Sequence, residues 1–333
     1  MSETSARAEL IEDRGQAAAS DQFFRSRAFL AAEDATHTLR IEGEDIELLA
    51  PLIVREIDAT GDRDAISPYG YPGLVESKRS RGHARRSLPA VAPAGMPPTP
   101  PALDPRSIDF SATGLVSLFV RHRLGPPPLA GASERSVVQI ADPALAPKSR
   151  PSDRRQIRKN LEAGFELELV PGAETTTAQR SGFLDVYEQT MRRTVAAGRY
   201  FFGAAYFDRV LEAGRTWLVL ATAPGGELAA ASLAAASDGY LHYYLSGSDD
   251  SHLRASPMKN VLARLVEHAA DLGLPLNLGG GISAGDALEE FKRGFANRQE
   301  TWHTSEIVCD PLAYERLSAG REAEGFFPAY RAP

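Results

Sequence analysis

Three runs decide the reading of this chain: WLVLATA (Trp217–Ala223), LAAASLAAA (Leu228–Ala236) and YLHYYLS (Tyr240–Ser246). Each has the length and apolar content of a buried strand. Between them stand Pro224-Gly225-Gly226 and Ser237-Asp238-Gly239, which are turn sequences, so the three form an antiparallel meander. Upstream, Ser152 caps a short helix that runs to Ala163 and stops at Gly164. Phe165–Leu169 then alternates as a strand. A helix follows, with Phe183, Val186, Tyr187, Thr190 and Met191 at helical spacing. Downstream, Ser256 reads as an N-cap with Pro257 at the first helical position. Met258, Val261, Leu262, Leu265, Ala269 and Leu272 mark one face of that helix, and Gly273 ends it. Leu274–Leu278 is a short strand and Asp286–Phe295 a last helix. A strand, a crossover helix and another strand pair in parallel, so the sheet is mixed.

The first half is less regular. Residues 1–20 are polar and acidic and read as a disordered tail. Asp21–Ala35 reads as an amphipathic helix with Phe23, Phe24, Ala28 and Phe29 on its apolar face. Thr38–Ile57 makes two strands around the acidic tip Glu42-Gly43-Glu44-Asp45. Ser67-Pro68-Tyr69-Gly70-Tyr71-Pro72-Gly73 is too rich in proline and glycine for helix or central strand. Residues 76–106 are basic and then proline-rich, a mobile surface excursion. Strand character resumes at Leu115–Val120 and Val137–Ile140.

Composition narrows the function. With 333 residues, 43% of them hydrophobic, the chain is long enough for two domains with real cores. No run approaches the ~18 apolar residues of a membrane helix, and the start does not resemble a secretory signal; a cytoplasmic protein is expected. One cysteine, Cys309, rules out an internal disulfide and any multi-cysteine metal cage. The seven histidines show no pair at ligand spacing, so no metal is expected. A net charge of −7 argues against nucleic-acid binding by the surface as a whole, though not by local basic patches.

The order of elements is that of the acetyltransferase-like fold, and four motifs extend the likeness. His242-Tyr243-Tyr244-Leu245-Ser246-Gly247-Ser248, Leu278-Gly279-Gly280-Gly281 and Phe291-Lys292-Arg293-Gly294-Phe295 resemble the run of motifs in the Fem-type peptidyltransferase group. Ser67-Pro68-Tyr69-Gly70-Tyr71 is similar to a first-domain motif of bacterial relatives of that group. The resemblance covers roughly residues 23 to 318. It implies an α/β (α+β) chain of two tandem acetyltransferase-like (GNAT) domains with mixed central sheets, here 21–150 and 151–333. It also implies transfer of an amino acid from aminoacyl-tRNA to a small-molecule or peptide amine, with no bound cofactor.

Two departures bear on substrates. A CoA-binding member carries a glycine-rich loop whose N–H groups hold the pyrophosphate at a helix N-terminus. The matching stretch, Asp249–Pro257, contains no glycine, two adjacent aspartates and a proline that lacks the N–H. Peptidoglycan-type members, as the resemblance implies, place an arginine four residues before a tyrosine to hold nucleotide phosphates. Tyr206 is present here, but the earlier position is Phe202.

The chemistry is assigned on this basis. Lys292 is the candidate for stabilising the tetrahedral oxyanion; the alternative is a surface lysine at a helix C-terminus. His242 and Tyr244 are candidates for a proton relay, against simple cross-strand packing. Strand alternation puts His242, Tyr244 and Ser246 on one face and Leu241, Tyr243 and Leu245 on the other. Gly279, Gly280 and Gly281 allow a substrate to approach the backbone, or form a plain turn. Tyr69, Gly70 and Tyr71 are a candidate substrate platform or a rigid packed turn. Tyr206 and Ser246 complete the substrate set. Arg154, Arg155, Arg158 and Lys159 lie on one helix face, opposite Ile157 and Leu161, and with Lys78, Arg79, Arg81, Arg85 and Arg86 form the two places for a tRNA backbone; a solvated face is the other reading. An acyl-CoA or acyl-carrier-protein N-acyltransferase and a non-catalytic RNA-binding relative are the alternative functions.

Overall fold

The computed structural model describes residues 6–57, 60–77, 102–281, 285–321, 323 and 325–332. The basic cluster from Lys78 to Arg86 and most of the 76–106 excursion lie outside them. The chain forms two compact units. One comprises Met1–Ser20, Glu33–Arg135 and Thr301–Pro333; the other comprises Asp21–Ala32 and Ser136–Glu300. These units differ from the expected division at residue 150 in three ways: residues 136–150 and the phenylalanine-rich segment near residue 25 belong to the second, and the last 33 residues return to the first.

In the first unit the strands are β1 (Ala6–Ile11), β2 (His37–Gly43), β3 (Glu47–Ile57), β4 (Asp62–Ile66), β5 (Val75–Glu76), β6 (Ile108–Asp109) and β7 (Leu115–Arg121). β1 corrects the expected disordered tail. It pairs antiparallel with β2 and parallel with β6, because Ala6 and Ala8 alternate inward beneath Leu39 and Ile41. Small alanines at every second position carry a strand signal too weak to stand out in a polar, acidic stretch.

The second unit starts with α1 (Arg27–Ala32), preceded by a 3-10 turn at Phe23–Arg25, where one longer helix was expected. β8 (Ser133–Ala141) enters it, followed by α2 (Pro151–Glu162), β9 (Glu166–Pro171), α3 (Thr177–Arg193) and α4 (Ala204–Glu212). The meander is β10 (Thr216–Thr222), β11 (Leu228–Ser237) and β12 (Tyr240–Ser248), followed by α5 (Met258–Leu272), β13 (Leu276–Gly279) and α6 (Ala287–Arg293). β14 (Arg298–Val308) and α7 (Pro311–Ser318) complete the chain, β14 pairing with β7. Within the second unit the strands lie in the order β8, β13, β12, β11, β10, β9. β12 and β13 are parallel and the remaining neighbours antiparallel, the mixed sheet expected.

One face of this sheet packs on α5: Val219, Ala221, Leu241 and Leu276 join Val261, Leu262 and Leu265 in a single apolar core. α2 is held to α5 by polar anchors. Asp153 pairs with Lys259 at 2.8 Å, and Asn160 donates to Asn260 Oδ1 at 2.7 Å. The inner side of α2 is thus Asp153, Ile157 and Asn160; Leu161, expected inside, is exposed. The helix begins at Pro151, one residue before the expected cap. At α5 the difference is larger. Ser256 does not cap: it sits at φ 49°, and its hydroxyl points back to the Leu253 carbonyl at 3.4 Å.

Candidate active site

α6 is a two-turn helix capped by Asp286, whose carboxylate accepts from the Glu289 amide at 2.7 Å. Its register sends Lys292 inward. The side chain is only 8% exposed, and Nζ donates to the Gly280 carbonyl at 2.7 Å. The Tyr243 ring stands 5.9 Å from the same nitrogen, a cation–π distance. Burial lowers the Lys292 pKa to about 8, and the charge of Asp286 opposes the shift. The helix-end surface lysine considered above is therefore not what the fold builds. It builds a desolvated ammonium with one carbonyl partner and one aromatic face.

The glycine run makes that placement possible. Gly279 has φ 75°, a left-handed conformation that disfavours side chains, and a Cβ there would stand 3.3 Å from Lys292 Nζ. At Gly280 a Cβ would be 2.9 Å from the Val137 carbonyl. The backbone at 279–280 is held from below by Asn277, whose Oδ1 accepts from the Gly279 amide at 2.8 Å.

β12 separates the remaining candidates by face. Leu241 and Tyr243 lie on the α5 side. Ser246 reaches the Tyr243 hydroxyl at 2.6 Å, although simple alternation assigns the two to opposite faces. The cause is a bulge: Leu233 is opposite Leu245 and Ala234 opposite Tyr243, so Tyr244 is the extra residue at the shift in register. His242 and Tyr244 face the other way, into an aromatic cluster. His242 meets the Phe24 ring edge-on at 4.9 Å, and Tyr244 packs on Phe23, Phe24 and Phe29. His242 Nε2 donates to the Ser237 carbonyl at 3.2 Å while Nδ1 accepts from Asn277 at 3.1 Å. Burial pushes its pKa down to about 4, so the ring is neutral and fixed. The structure does not bring His242 or Tyr244 to Lys292; it gives them to the packing that supports Asn277 and the glycine turn.

Tyr206, on α4, shares a 2.6 Å hydroxyl contact with Tyr244 and stacks on Phe202 at 4.1 Å. The position where the resemblance leads one to look for a phosphate-binding arginine is thus filled by a ring stacked on the tyrosine. Tyr69, Gly70 and Tyr71 lie in the first unit. There the Tyr69 amide donates to Glu33 at 2.7 Å, Gly70 has φ 89°, and Tyr71 packs edge-on against Trp302. Arg154, Arg155, Arg158 and Lys159 are all exposed along the outer side of α2.

Two contributors, Tyr243 and Asn277, were missed from sequence. Tyr243 was hidden by its adjacency to Tyr244. Asn277 carried a readable signal: an amide between Leu276 and Leu278 in a short apolar strand requires buried partners.

In the turn before α5 several backbone donors are already engaged. The Asp250 amide donates to Gln189, Ser251 to Asp249 Oδ1, His252 to the Asp249 carbonyl and Ser256 to the Leu253 carbonyl. Asp249 and Asp250 add negative charge there. A pyrophosphate needs free N–H groups at such a site.

Residues 147–293 match the acetyltransferase (GNAT) domain family. Among solved structures the chain is similar to FemX, at 11% identity over 84% of this chain and 90% of that one, with a TM-score of 0.56. It is also similar to the C-terminal domain of a putative lysylphosphatidylglycerol synthetase from Agrobacterium fabrum, at 12% identity over 90% and 92% with a TM-score of 0.52. At these identities the likeness is one of fold. No curated protein sequence matches the chain.

Proposed function

We propose that the enzyme forms an amide by moving an aminoacyl group from aminoacyl-tRNA to an amine acceptor. The observation that carries this is the Lys292 ammonium held at Gly279–Gly280. In such a transfer the neutral amine attacks the ester carbonyl carbon, and negative charge develops on the carbonyl oxygen. The carbon–oxygen bond to the ribose then breaks, and the amine's surplus proton ends on the released hydroxyl. A cation already desolvated and fixed pays no reorganisation when the oxyanion forms. With its pKa near 8 the same group has a proton to lend to the leaving oxygen.

Two features favour tRNA over CoA as the donor. The Asp249–Pro257 turn has several of its N–H groups engaged and carries two carboxylates, and the outer side of α2 offers four exposed cations. The name of the lysylphosphatidylglycerol synthetase relative points the same way, to an aminoacyl rather than an acetyl group. Phe202 stacked on Tyr206 leaves no guanidinium for a nucleotide-linked acceptor at that position, which favours a smaller amine or a peptide.

The test is to incubate the protein and a mixture of amines with total aminoacyl-tRNA or with acetyl-CoA and follow donor deacylation. Amide formation from aminoacyl-tRNA, and no CoA isotherm at millimolar concentration, is the expected result. Its salt dependence should flatten when Arg154, Arg155, Arg158 and Lys159 are all changed to Gln, by ~0.7–0.9 in log–log slope per lost phosphate contact. A stoichiometric CoA isotherm would transfer the assignment to an acyl-CoA N-acyltransferase. Binding of tRNA without turnover would point to an RNA-binding relative.

A further inference from the structure

The glycine turn that holds Lys292 is tied to groups on the far face of the sheet. Asn277 stands directly beside His242 in the parallel β12–β13 ladder, and both side chains are buried. The donors and acceptors in this line can be ordered from their chemistry. The Ser237 carbonyl only accepts, so the proton of a neutral His242 sits on Nε2, 3.2 Å away. Nδ1 then offers a lone pair, and the Asn277 amide turns its NH2 group toward it at 3.1 Å. At the other end the Gly279 N–H only donates, and it meets Asn277 Oδ1 at 2.8 Å. Both neighbours therefore demand the same orientation of one buried amide. A flipped amide would set donor against donor at Gly279 and oxygen against lone pair at His242, losing both bonds.

The far end of the line is anchored as well. Ser237 Oγ donates to the Asp238 carboxylate at 2.9 Å, and that carboxylate pairs with the buried Arg25 at 2.6 Å. The Asp238 amide donates to Gln22 at 2.6 Å. The phenylalanine-rich segment thus clamps the β11–β12 turn, and the turn supplies the carbonyl that orients the imidazole. At the near end, Gly279 lies at φ 75°, and the next residue presents the carbonyl that Lys292 Nζ meets at 2.7 Å. An amide in this apolar strand costs desolvation that a hydrophobic residue would not. Its two directed bonds cross from the imidazole face of the sheet to the turn that seats the lysine.

We propose that Asn277 is a positioning residue for Lys292: its amide, oriented by His242, fixes the Gly279–Gly280 turn and so the carbonyl at which the ammonium stands. This rests on Lys292 being the cation of the transfer reaction proposed above. In the full chain, Asn277→Ala should lower kcat ~10-fold with KM unchanged. Its Lys292 midpoint, read by ¹³Cε NMR, should rise from about 8 toward about 10.4 as the ammonium relaxes into water. Asn277→Asp keeps an acceptor for Gly279 and turns a second one toward Nδ1, so His242 takes up a proton. Its turnover should stay within ~3-fold of the parent. Its imidazole midpoint should climb from about 4 toward the ordinary value of about 6.5. Without His242 the amide takes both orientations and about half the molecules keep the turn, a far smaller loss than that of Asn277→Ala. The two titrations need no acyl donor, so they decide the positioning role even where the donor is not aminoacyl-tRNA. A Lys292 midpoint still at about 8 in Asn277→Ala, whatever its stability, would overturn the proposal. Should that variant not fold, Asn277→Asp decides: a ~10-fold loss of turnover with the imidazole still at about 4 would overturn it equally.

Discussion

The two faces of β12 carry neighbouring polar side chains of similar chemistry, and the fold uses them differently. Toward α5, Tyr243 and Ser246 stand with Lys292, a buried cation whose one carbonyl partner belongs to a glycine turn. Toward α1 and α4, His242 and Tyr244 are enclosed by Phe23, Phe24, Phe29 and Tyr206. On the second face burial keeps the His242 imidazole neutral. On the first, burial is incomplete in its effect and leaves an ammonium that titrates close to physiological pH. A charge kept at the expense of solvation is a functional device; a neutral imidazole with both nitrogens bonded is part of the structure. Asn277 joins the two, accepting from Gly279 and donating to His242.

The largest expected effect lies on the lysine face. Lys292→Met keeps the apolar stem and removes the charge, so single-turnover amide formation should fall ~10²-fold with donor affinity unchanged. Stability at pH 7 should not fall, and should rise by up to ~2 kcal/mol. Relief of the buried charge outweighs the Gly280 carbonyl left without a donor. A variant that turns over normally would erase the distinction between the faces.

The opposite face should show the reverse pattern. His242→Ala opens a cavity beside Phe24 and frees Asn277, at a cost of ~2–4 kcal/mol measured by chemical denaturation. Turnover per folded molecule should stay within ~3-fold. The parent protein should also lose stability as pH falls from about 6.5 to about 4. Between those values the unfolded chain binds a proton at this imidazole that the folded chain does not. His122 in the first unit, likewise lowered to about 4 by burial, adds to the same slope. His242→Ala should flatten the slope in part. A ~10²-fold loss of turnover at unchanged stability would make His242 catalytic.

A smaller effect sharpens the link through the glycine turn. Gly279→Ala places a methyl group 3.3 Å from Lys292 Nζ at a positive φ. It should cost ~1–2 kcal/mol of stability and lower turnover ~10-fold by displacing the ammonium. Circular dichroism melts with turnover measured on the same sample separate the two terms. A loss of stability alone would mean that the turn does not position the lysine.

Much of this was legible in the residues. The meander, the crossover helix and the parallel pairing of β12 with β13 follow from apolar runs punctuated by Pro-Gly-Gly and Asp-Gly, because local turn chemistry and periodicity agree there. Lys292 was legible as a candidate, but its burial was not: whether a helix-end lysine points inward depends on where the Gly279–Gly280 turn lies in space. The shared side of Tyr243 and Ser246 was hidden because the bulge at Tyr244 is set by the pairing of β11 with β12, and nothing in the β12 sequence announces it. β1 was missed for its small side chains. At Ser256 a serine before a proline looked like a cap, while the preceding 3-10 turn had already fixed its backbone at positive φ.

The proposed catalysis requires Lys292 to be a desolvated cation, and titration of that side chain tests this most directly. The chain has five lysines, so ¹³Cε-lysine labelling gives few signals, and Lys292→Met identifies the one required. Burial beside Gly280 and Tyr243 predicts a midpoint at about 8, well below the other lysines. A midpoint in the ordinary lysine range, about 10.4, would show an ammonium in water and contradict the catalytic role assigned to this face.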